Sequence, residues 1–206
     1  HPFLLGAQLG YGYLDGTESD FRYFNRVITA GEVALLYNKG VPGYEPFGLL
    51  GGEVLALEMS RYASGVILDE SGNGNNGTLT GGASVVGDAI VFDGVDGGIT
   101  ATVPAVIGDG SVSLWVKFDA IPSGTHVIFG AALGGSYVLI NQYGSSLFWY
   151  WQTGSPGVST PSAVSVGPLY HLVMVRSGST MIGYIDGVQV GTAAATNNWG
   201  NGNISI

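Results

Sequence analysis

The 206-residue chain has no cysteine. That excludes disulfides, thiolate metal sites and thiol catalysis together. Charge is scarce as well. Asp, Glu, Lys and Arg make up 10% of the residues, and six basic side chains stand against fifteen acidic ones, a formal net charge of −9. Neutralising phosphates takes clustered cations, so this balance argues against a nucleic-acid partner. Such acidity suits solvation or divalent cations instead. No apolar run approaches the roughly 20 residues of a spanning helix, so membrane insertion is not expected. A secreted chain without disulfides leans towards a bacterial, archaeal or viral surface. His1-Pro2 is not a translation start, so the chain reads as a processed form or part of something longer.

Glycine is plentiful, with 36 residues, beside a hydrophobic fraction of 46%. A disordered chain has the reverse balance. Sheet proteins with tight turns need residues that accept positive φ, which glycine supplies. Short apolar-polar alternations cut by glycine-rich turns recur along the chain, as in Val112, Leu114 and Val116 against Ser111, Ser113 and Trp115. Asp186-Gly187 between Thr180–Ile185 and Val188–Thr192 is a strong two-residue hairpin signal. One helix is expected: Thr29 as N-cap, Glu32 closing a capping box, then an apolar run to Tyr37 and a stop at Asn38-Lys39-Gly40. Many antiparallel strands without βαβ alternation predict an all-β sandwich or jelly roll carrying one short helix.

Five segments in order carry a family resemblance: Asp69-Glu70-Ser71-Gly72-Asn73-Gly74-Asn75-Asn76-Gly77-Thr78-Leu79, Ala89-Ile90-Val91-Phe92-Asp93-Gly94, Ser111-Val112-Ser113-Leu114-Trp115-Val116-Lys117, Tyr170-His171-Leu172-Val173 and Tyr184-Ile185-Asp186-Gly187-Val188. Together they resemble the laminin-G-like, concanavalin A-like lectin-glucanase domains. The family's closing signature is also present, but at the N-terminus: Gly12-Tyr13-Leu14-Asp15-Gly16, then Phe21-Arg22-Tyr23-Phe24-Asn25-Arg26, then Ala30 through Tyr37. The resemblance therefore implies closing strands and terminal helix in residues 1–38, a linker at 39–48 and the body of the sandwich in 49–206. Phe3-Leu4-Leu5-Gly6-Ala7 and Asn203-Ile204-Ser205-Ile206 both resemble the strand that precedes the closing signature.

Three arrangements satisfy this inverted order: a closed circular permutation, a piece of a tandem array, or donation of residues 1–38 to a neighbouring copy. A sandwich without its closing strands exposes an edge and an apolar trough. Phe3, Leu5, Phe21, Tyr23 and Phe24 are the inserts that fill it, at about 1.5–3 kcal/mol per buried large side chain. Donation is the arrangement expected here, since Pro42 and Pro46 stiffen a linker that can hold the segment away from its own body. It would join copies head to tail into a filament, array or virion surface.

Candidate sites are few. The glucanase-type relatives carry an E-x-D-x-x-E set on one strand; no strand is read as carrying it, and no enzyme is expected. His171 is expected to be a hydrogen-bonded core histidine. The resemblance implies a structural Ca²⁺ held by Asp69, Asn73 and Asn75 with nearby carbonyls, since Ca²⁺ takes hard oxygen ligands on bent turns. The position of the family's partner aspartate holds Ser19, and an Asx-turn loop needing no metal is the alternative. Leu147-Phe148-Trp149-Tyr150-Trp151 places Trp149 and Trp151 on one face, a candidate platform for glycan stacking, with Asn198 and Trp199 as a second candidate. Asn76-Gly77-Thr78 and Asn203-Ile204-Ser205 fit the N-glycosylation pattern. Two functions follow as expectations for an extracellular, cell-surface or virion protein: an assembly subunit whose partners are copies of itself, or a lectin-like binding module.

Overall fold

The computed structural model describes residues 2–5, 12–39, 49–103, 108–133, 136–151, 157–160 and 163–195. The first strands are β1 (Pro2–Leu5) and β2 (Asp15–Phe24), followed by helix α1 (Ala30–Lys39). Next come β3 (Glu53–Ala63), β4 (Val66–Asp69), β5 (Gly77–Thr80), β6 (Ser84–Val86), β7 (Ala89–Asp93) and β8 (Gly98–Thr102). The later strands are β9 (Gly110–Phe118), β10 (Thr125–Leu133), β11 (Ser136–Tyr143), β12 (Ser146–Trp151) and β13 (Val158–Thr160). The meander β14 (Leu169–Ser177), β15 (Thr180–Ile185) and β16 (Val188–Ala194) completes the order. Asp186 and Gly187 both have positive φ, 51° and 77°, so the last hairpin turns as its sequence implies.

Hydrogen bonding runs in the order β13-β12-β11-β10-β1-β8-β5-β4-β3-β2-β9-β14-β15-β16, with β6 and β7 attached beside β2. The path is folded into two antiparallel layers, a β-sandwich. Its two ends lie face to face: a Cβ added to Gly183 of β15 would sit 3.2 Å from Trp149 Cδ2 of β12. Between the layers lies one apolar core, including Phe21, Leu57, Ile90, Phe92, Val116, Phe118, Phe129 and Trp149.

β2 is the seam of this arrangement. Along one edge it pairs with β9 for nearly its whole length, from Gly16↔Phe118 to Phe24↔Ser111. Along the other it pairs first with β7, as in Glu18↔Ile90, and then with β3, as in Phe21↔Leu57. Between Ser19 and Arg22 the register slips, and Asp20 takes φ 44°. An extra residue of this kind reverses which face the strand presents. Phe21 and Tyr23 enter the core between the layers and reach Phe129, the Phe21 and Phe129 centroids being 5.4 Å apart. Phe24 turns outward to the helix.

Helix α1 covers that outer face with Val33 and Leu36, which pack with Phe24, Ile28, Val173, Val175 and Tyr184. The capping box forms as expected: Glu32 N–H donates to Thr29 Oγ1 at 3.2 Å, and Thr29 N–H to Glu32 Oε2 at 2.7 Å. Glu32 also pairs with Arg26 at 2.7 Å. Among the described residues no helix is long and apolar enough to cross a membrane.

The closing signature thus occupies the slot of its own chain, with Phe21 and Phe24 fully buried in it. Where the sequence led us to expect donation to a neighbouring copy, the structure seats these residues within their own chain. Chain return explains it. Asn25 N–H donates to Gly52 O at 3.0 Å and Arg26 Nε to Gly51 O at 2.7 Å, so the body starts beside the end of β2. β1 pairs with β8 and β10 of the same chain; the side chains of Phe3 and Leu5, and the linker residues 40–48, lie outside the described residues. Two outcomes are expected. Gel filtration over a hundredfold dilution should show a monomer, where persistent oligomers would indicate exchange. Phe21→Ala should lower stability by about 3–5 kcal/mol in denaturant melts.

Candidate functional site

Strand β12 alternates as its sequence implies. Leu147 and Trp149 are fully buried between the layers. Phe148 and Tyr150 stand half-buried on the outer face, with ring planes 7° and centroids 5.9 Å apart. Strand register draws a row across this face: Val127 of β10 lies opposite Asn141 of β11, Asn141 opposite Phe148, and Phe148 opposite Ser159 of β13. Exposure rises along the row, from buried Val127 and Asn141 to half-buried Phe148 and exposed Ser159. Asn141 is 5% exposed, and its Oδ1 has no hydrogen-bond partner. A buried acceptor left unsatisfied costs free energy and asks for an explanation. Tyr143, two residues along the same face of β11, is exposed.

The expected platform is corrected at Trp149. A fully buried ring has no face free to stack on a ligand. Both faces of β12 carry large rings, so nothing in the strand itself says which is outer; the space above Gly183 in the opposite layer is what takes the indole. The Trp151 side chain, Asn198 and Trp199 lie outside the described residues. The parallel pair Phe148 and Tyr150, on the opposite face of the strand, is the aromatic pair that reaches the surface.

Two constellations have a catalytic appearance. Ser113 Oγ and His171 Nε2 are 2.9 Å apart, the spacing of a nucleophile and its base. His171 is fully buried, and its pKa is pushed down to about 3, first by burial and then by the positive charge of Arg22. Its ring sits among Trp115, at 4.9 Å, and Tyr37 of α1, at 6.1 Å. A neutral imidazole walled in by two rings braces the helix on the sheet and cannot shuttle protons. The second constellation is Glu18-Ser19-Asp20, which has the first two carboxylates of the E-x-D-x-x-E spacing, with Tyr23 in the position of the third acid. The bulge separates them. Glu18, paired with Val116 and Ile90 of the inner face, is buried in the core with neither oxygen partnered, whereas Asp20 pairs with Arg22 at 2.8 Å.

A family model for the concanavalin A-like lectin/glucanases superfamily, of laminin-G type, matches residues 92–206, more than half of the chain. The chain belongs to that superfamily. No curated protein and no solved structure matches it. The matched span begins inside β7, so the closing segment of this laminin-G-like domain lies ahead of it.

The resemblance implies a Ca²⁺ at the early Asn-Gly loop, and the laminin-G-like domain can be tested for fit there. Asp69 Oδ1 accepts the N–H groups of Ala56, at 2.9 Å, and Ser71, at 3.0 Å. Asp69 Oδ2 accepts the Ser71 hydroxyl at 2.8 Å and the Asn75 N–H at 2.9 Å. Four donors fill the lone pairs that a cation would need. The Asn73 amide donates to Glu53 O at 3.1 Å, and that of Asn75 to Val54 O at 2.7 Å. Both amides thus spend their nitrogens on β3 carbonyls. Asp69, Asn73 and Asn75 do not fit Ca²⁺; they form a hydrogen-bonded clasp that ties the loop to β3. Among the described residues no group of three or more His, Asp or Glu side chains gathers as a metal site. Chelator should leave the melting temperature unchanged. Asp69→Ala should lower stability by about 2–4 kcal/mol, because four buried or half-buried donors lose their acceptor.

Proposed function

We propose that this domain is a non-catalytic, extracellular binding module that takes carbohydrate on the outer face of β11 and β12. The observation that carries the reading is the parallel Phe148–Tyr150 pair, half-exposed on the outer face. Sugar rings present C–H faces that stack on aromatic rings, and hydroxyls that donate to a fixed acceptor. Parallel rings suit a flat ligand lying along the strand. Membership of a lectin/glucanase superfamily supports the same reading, as an analogy of fold. Absence of catalysis is supported by Glu18, which faces the core, and by His171, which is buried and uncharged. With the closing strand seated in its own chain, strand exchange is not needed to complete the sandwich, so the binding module is preferred to an assembly subunit.

A glycan array probed with the purified domain, followed by titration of the hits, tests the site. Phe148→Ala combined with Tyr150→Ala should weaken binding at least tenfold while the domain still melts cooperatively. Undiminished binding by the double variant would reject this face.

A further inference from the structure

Glu18 is a carboxyl in a place built for a hydrocarbon. It lies at the middle of the seam strand, 1% exposed, with neither oxygen partnered. Its register neighbours are Ile90 on one side and Val116 on the other, both fully buried. Alternation along β9 and β7 sets Leu114, Phe118 and Phe92 on the same inner face. Leaving a carboxylate charged there, with no cation and no donor, is the most costly state a core side chain can occupy.

The surroundings offer no relief. On β9 the charged side chain is Lys117, one residue from Val116 and so on the opposite face, where it pairs with Asp119 at 2.7 Å. On β7 it is Asp93, whose Oδ1 is taken up by the N–H groups of Val95, Asp96 and Gly97. On β2 itself Asp15 lies at the start of the strand and Asp20 beyond the bulge, bound to Arg22. Tyr23 of β2 and Tyr170 of β14 are the titratable groups in or against the same core. The Glu18 carboxyl titrates well above the ordinary 4.5, and desolvation by burial is the whole cause, with no neighbouring charge acting on it.

We propose that Glu18 is a proton-dependent latch on the seam: uncharged, it lets β2 stay between β9 and β7, and on ionisation it loosens β2 from both. Linkage sets the direction. Above about pH 4.5 the unfolded chain gives up this proton while the folded chain keeps it. Stability is therefore fully present below that value and declines as pH rises towards the native titration point, the unfolding equilibrium constant growing about tenfold per pH unit. β2 pairs on both edges, so its release opens the slot between β9 on one side and β7 and β3 on the other and carries α1 with it. The domain is thus firmest in mild acid and loosens towards alkaline pH.

Denaturant melts of the parent, Glu18→Gln and Glu18→Leu from pH 5 to pH 9 test the latch, together with hydrogen-exchange protection of the β2 amides over the same range. Asp20, whose carboxyl is also held up chiefly by desolvation, and the net negative charge act alike in all three proteins, so the difference in slope isolates Glu18. The expected result is a parent that loses stability and β2 protection with rising pH, and variants in which about one proton's worth of that slope is gone. Glu18→Leu should be the more stable protein at pH 8. Equal slopes in parent and Glu18→Gln would overturn the proposal, as would a Glu18→Leu protein weaker than the parent at pH 8. Should Glu18→Leu not fold, the near-isosteric Glu18→Gln decides the matter by its slope alone.

Discussion

Pairing of β2 on both of its edges is the constraint from which the rest of this structure follows. Ten residues link β9 to β7 and β3, and without them each of those strands would present a bare edge. The bulge at Asp20 divides the strand into two functions. Ahead of it the seam aims Glu18 inward; after it Phe21 and Tyr23 fill the core and Phe24 meets the helix. One residue in the left-handed region thus lets one strand serve two faces.

The two outer faces of the sandwich differ because of that strand. Beyond β2 the chain enters α1, which lies on one layer through Val33 and Leu36 and through the stack of Tyr37 on Trp115, 5.7 Å apart. No described helix lies over the other layer, and its aromatic pair reaches the surface. Polar groups are distributed in the same sense. Under the helix, Ser113 Oγ pairs with His171 Nε2; in the Asn-Gly loop, the Asp69 clasp closes on the protein's own donors. Asn141, Glu53, Thr160 and Glu18 each keep a buried oxygen without a partner.

Much of this was legible in the residues. Thr29 and Glu32 announced the helix because capping is local chemistry, settled within four positions. Asp186-Gly187 announced the hairpin because positive φ at two successive residues suits few other pairs. The closing signature was recognisable out of order, since its apolar spacing survives permutation. β2 reaches further back than the apolar Phe21-Arg22-Tyr23-Phe24 pattern indicates, since pairing begins at Asp15. Thr17, Glu18 and Ser19 do not alternate in polarity, and only their neighbours on β7 and β9 make them a strand.

Composition and local pattern by themselves determined an all-β, disulfide-free sandwich with one capped helix, because turn chemistry and alternation act over a few residues. Tertiary structure decided what depends on residues far apart. Gly183 made room for Trp149 and so chose which aromatic face of β12 is outer. Ala56, Ser71 and Asn75 filled the Asp69 carboxylate and turned an expected ligand into a clasp. Gly51 and Gly52 drew the body back beside β2 and closed the fold within one chain. In each case the deciding atom lies on another segment, where space, lone pairs and edges are shared out only once the layers have met.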